Sequence, residues 1–307
     1  MDDTLVRKLE SATSLPSMPL VASKLIDLLD DKEASPEELA DILSLDVALS
    51  ARIVGISNSA LFHRVSESQT VLQAVTTLGM DRSSAVALGF SLRSSILADS
   101  KSGIDYDLFW RRSLLVGTSA KFIAMTASKV NPERAFLIGL LQDIGVIALD
   151  KVDSDFYHAL EPAAQRDHLQ LMDYENTRLG TDHCEVGAWL LSHWQLPNDI
   201  VNAVHHSDQS VHVKEYAAVE YGPTLAVAIE FADLLLPADR ERSLANVNFG
   251  LQRHWQIDDS WHVTHAEKLS SVLAEVEQIF EQMLTDDSDL GDLLEAAESL
   301  RKERSIE

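Results

Sequence analysis

An all-α fold is the class that the sequence predicts, and three observations support it. The 307 residues contain 12 glycines and 8 prolines, roughly half of average usage and too few for the many tight turns of a β-sandwich or barrel. Apolar residues recur at intervals of three and four, as they do along one face of a helix. Helix-capping residues such as Ser35, Asp46 and Asp182 stand directly before several of these runs.

Five short helices are predicted in residues 10–100, which form an N-terminal lobe. Prolines hold the chain extended before the first helix, hydroxyl or carboxylate side chains cap later ones, and a glycine ends one of them. These signals are, in chain order, Pro16 and Pro19, Ser35 with Pro36 and Glu38 as a capping box, Asp46, Gly79, and Asp81 as a further cap.

A polar break at residues 100–103 leads into a second helical lobe, predicted over residues 104–235. The predicted helices of this lobe begin near Phe109, at Asn131, twice within residues 154–180, at Asp182, after Pro197 and at Pro223. Residues 237–307 are predicted to be a helical extension, with a weak pattern up to residue 262 and an acidic tail after Thr285. Its last helix carries a stripe from Leu269 to Phe280 that either faces a partner or packs on its own protein.

Composition and charge also exclude several classes of protein. The 25 basic and 49 acidic residues give a net charge of −24, which repels phosphate backbones, and a helix-turn-helix placed in residues 39–60 would offer only Arg52 as a basic residue, so we expect no direct nucleic-acid binding. No run of about 18 apolar residues predicts a membrane span. A single cysteine, Cys184, and an acidic N-terminus without a signal-peptide pattern favour a cytoplasmic protein.

Five side chains at helix ends are candidates for a metal site, because imidazole and carboxylate together suit zinc, iron or manganese. They are Asp143, His183, His205, His206 and Asp233. Most of them also have a structural explanation. Asp143 could bond the amides of the next helix, His183 could simply belong to a first helical turn, and the two adjacent histidines could oppose the negative end of a helix.

Several ordered motifs resemble the HDOD family. They are Leu-Pro-Ser-Met-Pro at 15–19, Ser-Pro-Glu-Glu-Leu-Ala at 35–40, Ala-Arg-Ile at 51–53, Ser-Asn-Ser-Ala at 57–60, Ala-Val at 74–75, Leu-Gly at 78–79, Phe-Trp-Arg at 109–111, Phe-Leu-Ile-Gly-Leu-Leu at 136–141, Asp-Ile-Gly at 143–145, His183 with Glu-Val-Gly at 185–187, and Leu-Pro at 196–197 through His-His at 205–206. The resemblance covers residues 10–235. It implies an HDOD domain whose N-terminal five-helix lobe packs on a degenerate HD-like lobe.

The resemblance also implies a reduced metal site. HDOD domains are similar to HD-type metal-dependent phosphohydrolases and to HD-GYP cyclic-di-nucleotide phosphodiesterases. The five candidates named above match family ligand positions, but Gln142 stands where active relatives have a histidine, and Arg112 lies at or near another. A carboxamide is a poor substitute for imidazole, and a guanidinium stays charged and cannot become a ligand.

The function that follows from this resemblance is a non-catalytic bacterial signal-transduction module, which acts by protein–protein contacts with signalling proteins and needs no cofactor. The alternative is a metal-dependent phosphohydrolase, such as a cyclic-nucleotide phosphodiesterase, with a weakly held iron, zinc or manganese ion at the five candidates. A third hypothesis places a small nucleotide beside Arg112, in the cavity that holds the metal site in active relatives.

Overall fold

The computed structural model describes residues 6, 7, 9, 18–29, 31, 33–59, 67–96, 103–160, 168–207, 219–236, 240–258, 260–285 and 291. Every regular element in these residues is a helix, which confirms the all-α prediction. The chain divides into two compact units, neither of them continuous in sequence. The first contains Met1–Tyr106 and Ile144–Val201, and the second contains Asp107–Asp143 and Asn202–Glu307.

The helices are α1 (Leu20–Leu29), α2 (Pro36–Leu43), α3 (Val47–Ser57), α4 (Val71–Leu78), α5 (Met80–Ile96), α6 (Tyr106–Thr126), α7 (Pro132–Leu141), α8 (Ile144–Val152), α9 (Ser154–Ala159), α10 (His168–Leu179), α11 (His183–His193), α12 (Asn198–His205), α13 (Gly222–Leu234), α14 (Arg240–Trp255), α15 (Trp261–Thr264) and α16 (Ala266–Phe280). Helices α1 to α5 are the five predicted for the N-terminal lobe. The expectations for residues 15–17, 100–102 and 286–307 lie outside the described residues. The domain boundaries drawn from the sequence stay predictions.

The caps of the first unit form largely as the sequence predicts. The Ser35 side chain accepts the Glu38 amide and the Glu38 carboxylate accepts the Ser35 amide, which is the reciprocal capping box. Gly79, with a φ of 87°, ends α4. The prediction that Asp81 caps the next helix is wrong. Because the Gly79 carbonyl already accepts the Ser83 amide, α5 begins at Met80 and Asp81 lies inside its first turn.

Close packing of α8 on α11 fixes the start of α11 in the first unit. A Cβ atom on Gly145 would lie 2.6 Å from the Gly187 nitrogen and even closer to the His183 carbonyl oxygen. Both atoms belong to backbone, so neither can turn aside. Glycine at this position therefore allows the approach that places His183.

The second unit is built around α6, whose residues 112–124 are all buried. Where α6 meets α7, a Cβ atom on Gly139 would lie 2.8 Å from the Cα atom of Gly117. Two glycines that face each other let the two helix backbones come close. This approach brings the first half of α6, which carries Arg112, near the end of α7.

Part of the extension belongs to this second unit. Residues 237–262 carry only a weak sequence pattern within the predicted helical extension, and the structure places α14 there, packed closely on α13. Its buried residues, Leu244, Val247 and Leu251, follow helical spacing, so the signal was present but short.

The last helix, α16, is predicted correctly, and its apolar stripe is packed rather than exposed. The buried members of the stripe are Leu269, Val272, Leu273, Val276, Ile279 and Phe280. Phe280 meets the rings of Trp110 and Phe136, with centroids 6.3 and 6.0 Å away. The stripe is therefore part of the core and not a surface for a partner.

A buried lysine also holds α16 in the second unit. The Lys121 ammonium on α6 lies 3.1 Å from the Glu133 carboxylate at the start of α7 and 2.9 Å from the Glu275 carboxylate on α16. Its side chain is 4% exposed, so solvent screens these contacts weakly. No helix in the described residues is long and apolar enough to cross a membrane.

Gly145→Ala should destabilise the protein by about 1–3 kcal/mol, because the new methyl group must push α8 away from α11. Urea unfolding at constant protein concentration measures the loss. The matched control is Gly55→Ala, since Gly55 lies within α3 and a Cβ atom there would meet nothing within 4 Å. That control should gain about 0.5–1 kcal/mol from helix propensity. Equal effects at the two positions would contradict the close-packing argument.

Candidate functional site

A buried arginine and two aspartates form the polar centre of the second unit. Arg112 lies on α6, in the stretch that is buried all round, and its side chain is 6% exposed. Asp143 lies two residues beyond the end of α7 and is 2% exposed, while Asp233 lies near the end of α13 and is 19% exposed. Three separate helical segments thus contribute to one cluster.

The Arg112 guanidinium joins the two aspartates. Its Nη1 donates to Oδ2 of Asp143 at 2.7 Å, and its Nη2 donates to Oδ1 of Asp233 at 3.4 Å. The first is a short, charge-assisted hydrogen bond, and the second is longer and weaker. One permanent cation therefore balances two carboxylates in a largely dry environment.

This arrangement does not fit a divalent cation. A metal at this position would need the carboxylate oxygens that the guanidinium already holds, and it would sit next to a fixed positive charge. Arginine stays protonated, so it cannot make room by losing its charge. The contacts of Arg112 are those expected for a buried basic residue beside acids, and both acids are among the metal-ligand candidates that the resemblance implies.

Gln142 lies between the last residue of α7 and Asp143, at the position for which the resemblance implies a histidine in active relatives. Its side chain is fully buried, and neither its amide oxygen nor its amide nitrogen has a hydrogen-bond partner among the described residues. An unpaired buried polar group costs about 1–3 kcal/mol. A contribution to the stability of the fold therefore does not by itself explain why Gln142 has an amide group at this position.

The two adjacent histidines lie at the end of α12. His205 is exposed, and His206 is half-buried with its Nδ1 2.8 Å from the carbonyl oxygen of Asn202, one turn earlier. Their rings are 4.9 Å apart between centroids. This local hydrogen bond matches the structural explanation, in which the imidazole satisfies the negative end of its own helix.

His183 belongs to the first unit, where it is the first residue of α11 and fully buried. Its Nδ1 lies 2.6 Å from Oε2 of Glu175, and its backbone amide donates to the same oxygen at 2.8 Å. The Tyr157 hydroxyl donates to Oε1 of Glu175 at 2.6 Å. Burial, followed by the charge of Glu175, raises the pKa of Tyr157 well above its ordinary value.

The described part of the chain holds no group of three or more histidine, cysteine or acidic side chains that could bind a metal ion. Of the five predicted site residues, Asp143 and Asp233 meet at Arg112, His205 and His206 are neighbours, and His183 is held by Glu175. Their assignment as metal ligands stays a prediction. No sequence signal marks Glu175 or Tyr157, since neither stands at a recognisable motif.

Glu230 is a third residue that the sequence did not single out. It lies on α13, one turn before Asp233, and its Oε1 accepts a hydrogen bond from Asn246 on α14 at 2.9 Å. Burial is the main cause that raises the pKa of Glu230, to about 7, and the nearby charge of Asp233 adds to the effect. The bond from Asn246 opposes the rise only in part.

Comparison with known proteins places these residues in a family context. The model of the HDOD domain matches residues 15–210 of the chain. A solved structure from Shewanella amazonensis, named "Putative phosphohydrolase", is 23% identical, with a TM-score of 0.70, and the match covers 92% of this chain and 98% of that one. At this identity the likeness shows the fold alone.

Two more distant relatives differ from this chain in length. A solved structure from Marinobacter aquaeolei, named "Putative signal transduction protein", is 19% identical with a TM-score of 0.66, and the match covers 94% of this chain and 65% of that one. A curated protein of Treponema pallidum, named "Uncharacterized protein", is 22% identical over 233 residues, which is 73% of this chain. The match spans 43% of the Treponema protein.

Arg112→Ala should destabilise the protein by about 3–5 kcal/mol at neutral pH, because it leaves the Asp143 carboxylate buried without its cation. Chemical denaturation followed by circular dichroism measures this change. The control is Arg178→Ala, which removes an arginine that is 62% exposed and lies 3.2 Å from Asp153. The control should cost about 0–1 kcal/mol. Equal losses in the two variants would mean that burial adds nothing to the Arg112 contacts.

Glu230→Gln should stabilise the protein more at about pH 8 than at about pH 5. Since the pKa of Glu230 rises from 4.5 to about 7 on folding, the folded chain binds more protons in that window and loses stability as the pH rises through it. The variant keeps an acceptor for Asn246 but cannot ionise, so its advantage should reach about 1–3 kcal/mol above pH 7.

Thermal melts at both pH values measure the Glu230 effect. The control is Glu67→Gln, which removes one negative charge at an exposed position. Its change in stability at each pH is subtracted from that of Glu230→Gln. An advantage of Glu230→Gln that is the same at both pH values, or larger at the lower one, would contradict the raised pKa.

Proposed function

Since the chain belongs to the HDOD domain family, we propose that it is a non-catalytic signal-transduction module that acts through contacts with signalling proteins. The observation that carries the proposal is the Arg112 guanidinium, which is hydrogen bonded to both Asp143 and Asp233. These are two of the carboxylates that the family resemblance assigns to a metal. A protein side chain supplies the positive charge at this position.

The chemistry of phosphodiester hydrolysis explains why this replacement matters. A metal-dependent phosphohydrolase must activate a water molecule and stabilise the attacking and leaving oxygens. A guanidinium can neutralise charge, but it cannot lower the pKa of a bound water as a metal does. With Arg112 at its carboxylates and Gln142 in place of an imidazole, the second unit offers charge neutralisation without a nucleophile.

The charge of the chain supports protein partners. A net charge of −24 disfavours phosphate backbones and favours partners with a complementary basic surface. The solved relative from Marinobacter aquaeolei, which carries a signal-transduction name, supports the same class of function.

Untagged protein that is incubated with manganese, zinc or iron and then desalted should hold far less than one metal ion per chain by elemental analysis. It should also not hydrolyse a generic phosphodiester. The variant Arg112→His with Gln142→His should gain metal, because it removes the fixed cation and adds two imidazoles. The matched control is Arg178→His, which adds an imidazole at an exposed position and should gain none.

One result would favour the phosphohydrolase alternative instead. Stoichiometric metal in the natural chain, lost in His206→Ala together with hydrolysis, would overturn the proposal. His206→Ala can also be expressed in cells from which the natural chain has been removed. If the chain is a non-catalytic module, this variant should restore its function. Failure of that variant, in a protein that folds normally, would count against the proposal as well.

A further inference from the structure

The structure assigns Glu175 as a positioning residue, which holds the His183 imidazole with its proton on Nδ1 and makes Nε2 the acceptor nitrogen of the ring. The assignment concerns the first unit by itself and does not depend on the Arg112 cluster or on the function proposed above. The two nitrogens of such a ring have different roles, a donor at Nδ1 and an acceptor at Nε2.

The geometry of the carboxylate carries the inference. Glu175 receives three hydrogen bonds: one from the Tyr157 hydroxyl to Oε1, and two from His183, through its backbone amide and its Nδ1, to Oε2. All three side chains are fully buried. A buried carboxylate is costly unless donors surround it, and here three hydrogen bonds do so.

The position of the proton follows from the chemistry of the two groups. The backbone amide of His183 can only donate, so Oε2 is already an acceptor. An ionised carboxylate can only accept hydrogen bonds, so the short contact between Oε2 and Nδ1 makes the ring nitrogen the donor. Nε2 then carries the lone pair whenever the ring is neutral.

The fold explains why a single carboxylate can do this. His183 is the first residue of α11, and the amides of a first turn lack partners within their own helix. Asp182 caps the helix through the Glu185 amide, while Glu175 on α10 accepts the His183 amide. Gly145 admits α8 against the His183 carbonyl on the other side. Backbone and ring of His183 are thus fixed together.

Nitrogen-15 NMR of the full chain tests the inference directly. At about pH 8, the His183 signals should show a protonated Nδ1 and an unprotonated Nε2, with the Nδ1 proton protected from exchange. Glu175→Ala should remove this preference and expose a mixture of the two tautomers. Glu175→Gln should restore the Nδ1–H form, because its amide oxygen can accept the same bond.

Two further variants separate positioning from a general structural role. Glu185→Gln changes a nearby carboxylate of α11 that bonds the Thr181 hydroxyl, and it should leave the tautomer unchanged. Tyr157→Phe removes only the donor to Oε1, so it should keep the Nδ1–H form even if Glu175→Ala does not fold. An Nε2–H tautomer in the natural chain, or its retention without the Glu175 side chain, would overturn the assignment.

Discussion

The second unit depends on one buried cation between two carboxylates. Arg112 reaches Asp143 and Asp233 from a helix whose surroundings exclude water, so each charge is stable only while the others remain. The same requirement for a positive charge can be met by a metal ion or by a guanidinium. In this fold a side chain supplies the cation of the polar centre.

The buried polar cluster of the first unit is built the other way round, with a carboxylate at its centre and hydrogen-bond donors around it. Glu175 accepts three donors and sets the orientation of an imidazole, while Arg112 donates to two acceptors and closes off two carboxylates. Both arrangements satisfy buried charge, the first by gathering donors around one carboxylate and the second by placing one cation between two carboxylates.

Local signals explain what the sequence could predict. Ser35, Asp46 and Gly79 act on residues three or four positions away, so the helices that they bound are predicted well. The start of α5 was misplaced by two residues, because the Gly79 carbonyl accepts the Ser83 amide in the first helical hydrogen bond and Asp81 already lies in the first turn. The contact of Arg112 with Asp233 depends on how distant helices cross, and no local pattern records that crossing. Only family resemblance pointed to positions 112 and 142.

The second buried cation of the same helix shows that this logic is general in the second unit. Lys121 lies nine residues after Arg112 on α6 and also meets two carboxylates, Glu133 and Glu275. The chain has a net charge of −24, and two of its carboxylates lie close together beside the core. The buried Lys121 ammonium between them replaces their mutual repulsion with two attractive contacts. Because Glu275 lies on α16, this link ties the last helix to α6, in the unit that contains Arg112 and its two aspartates.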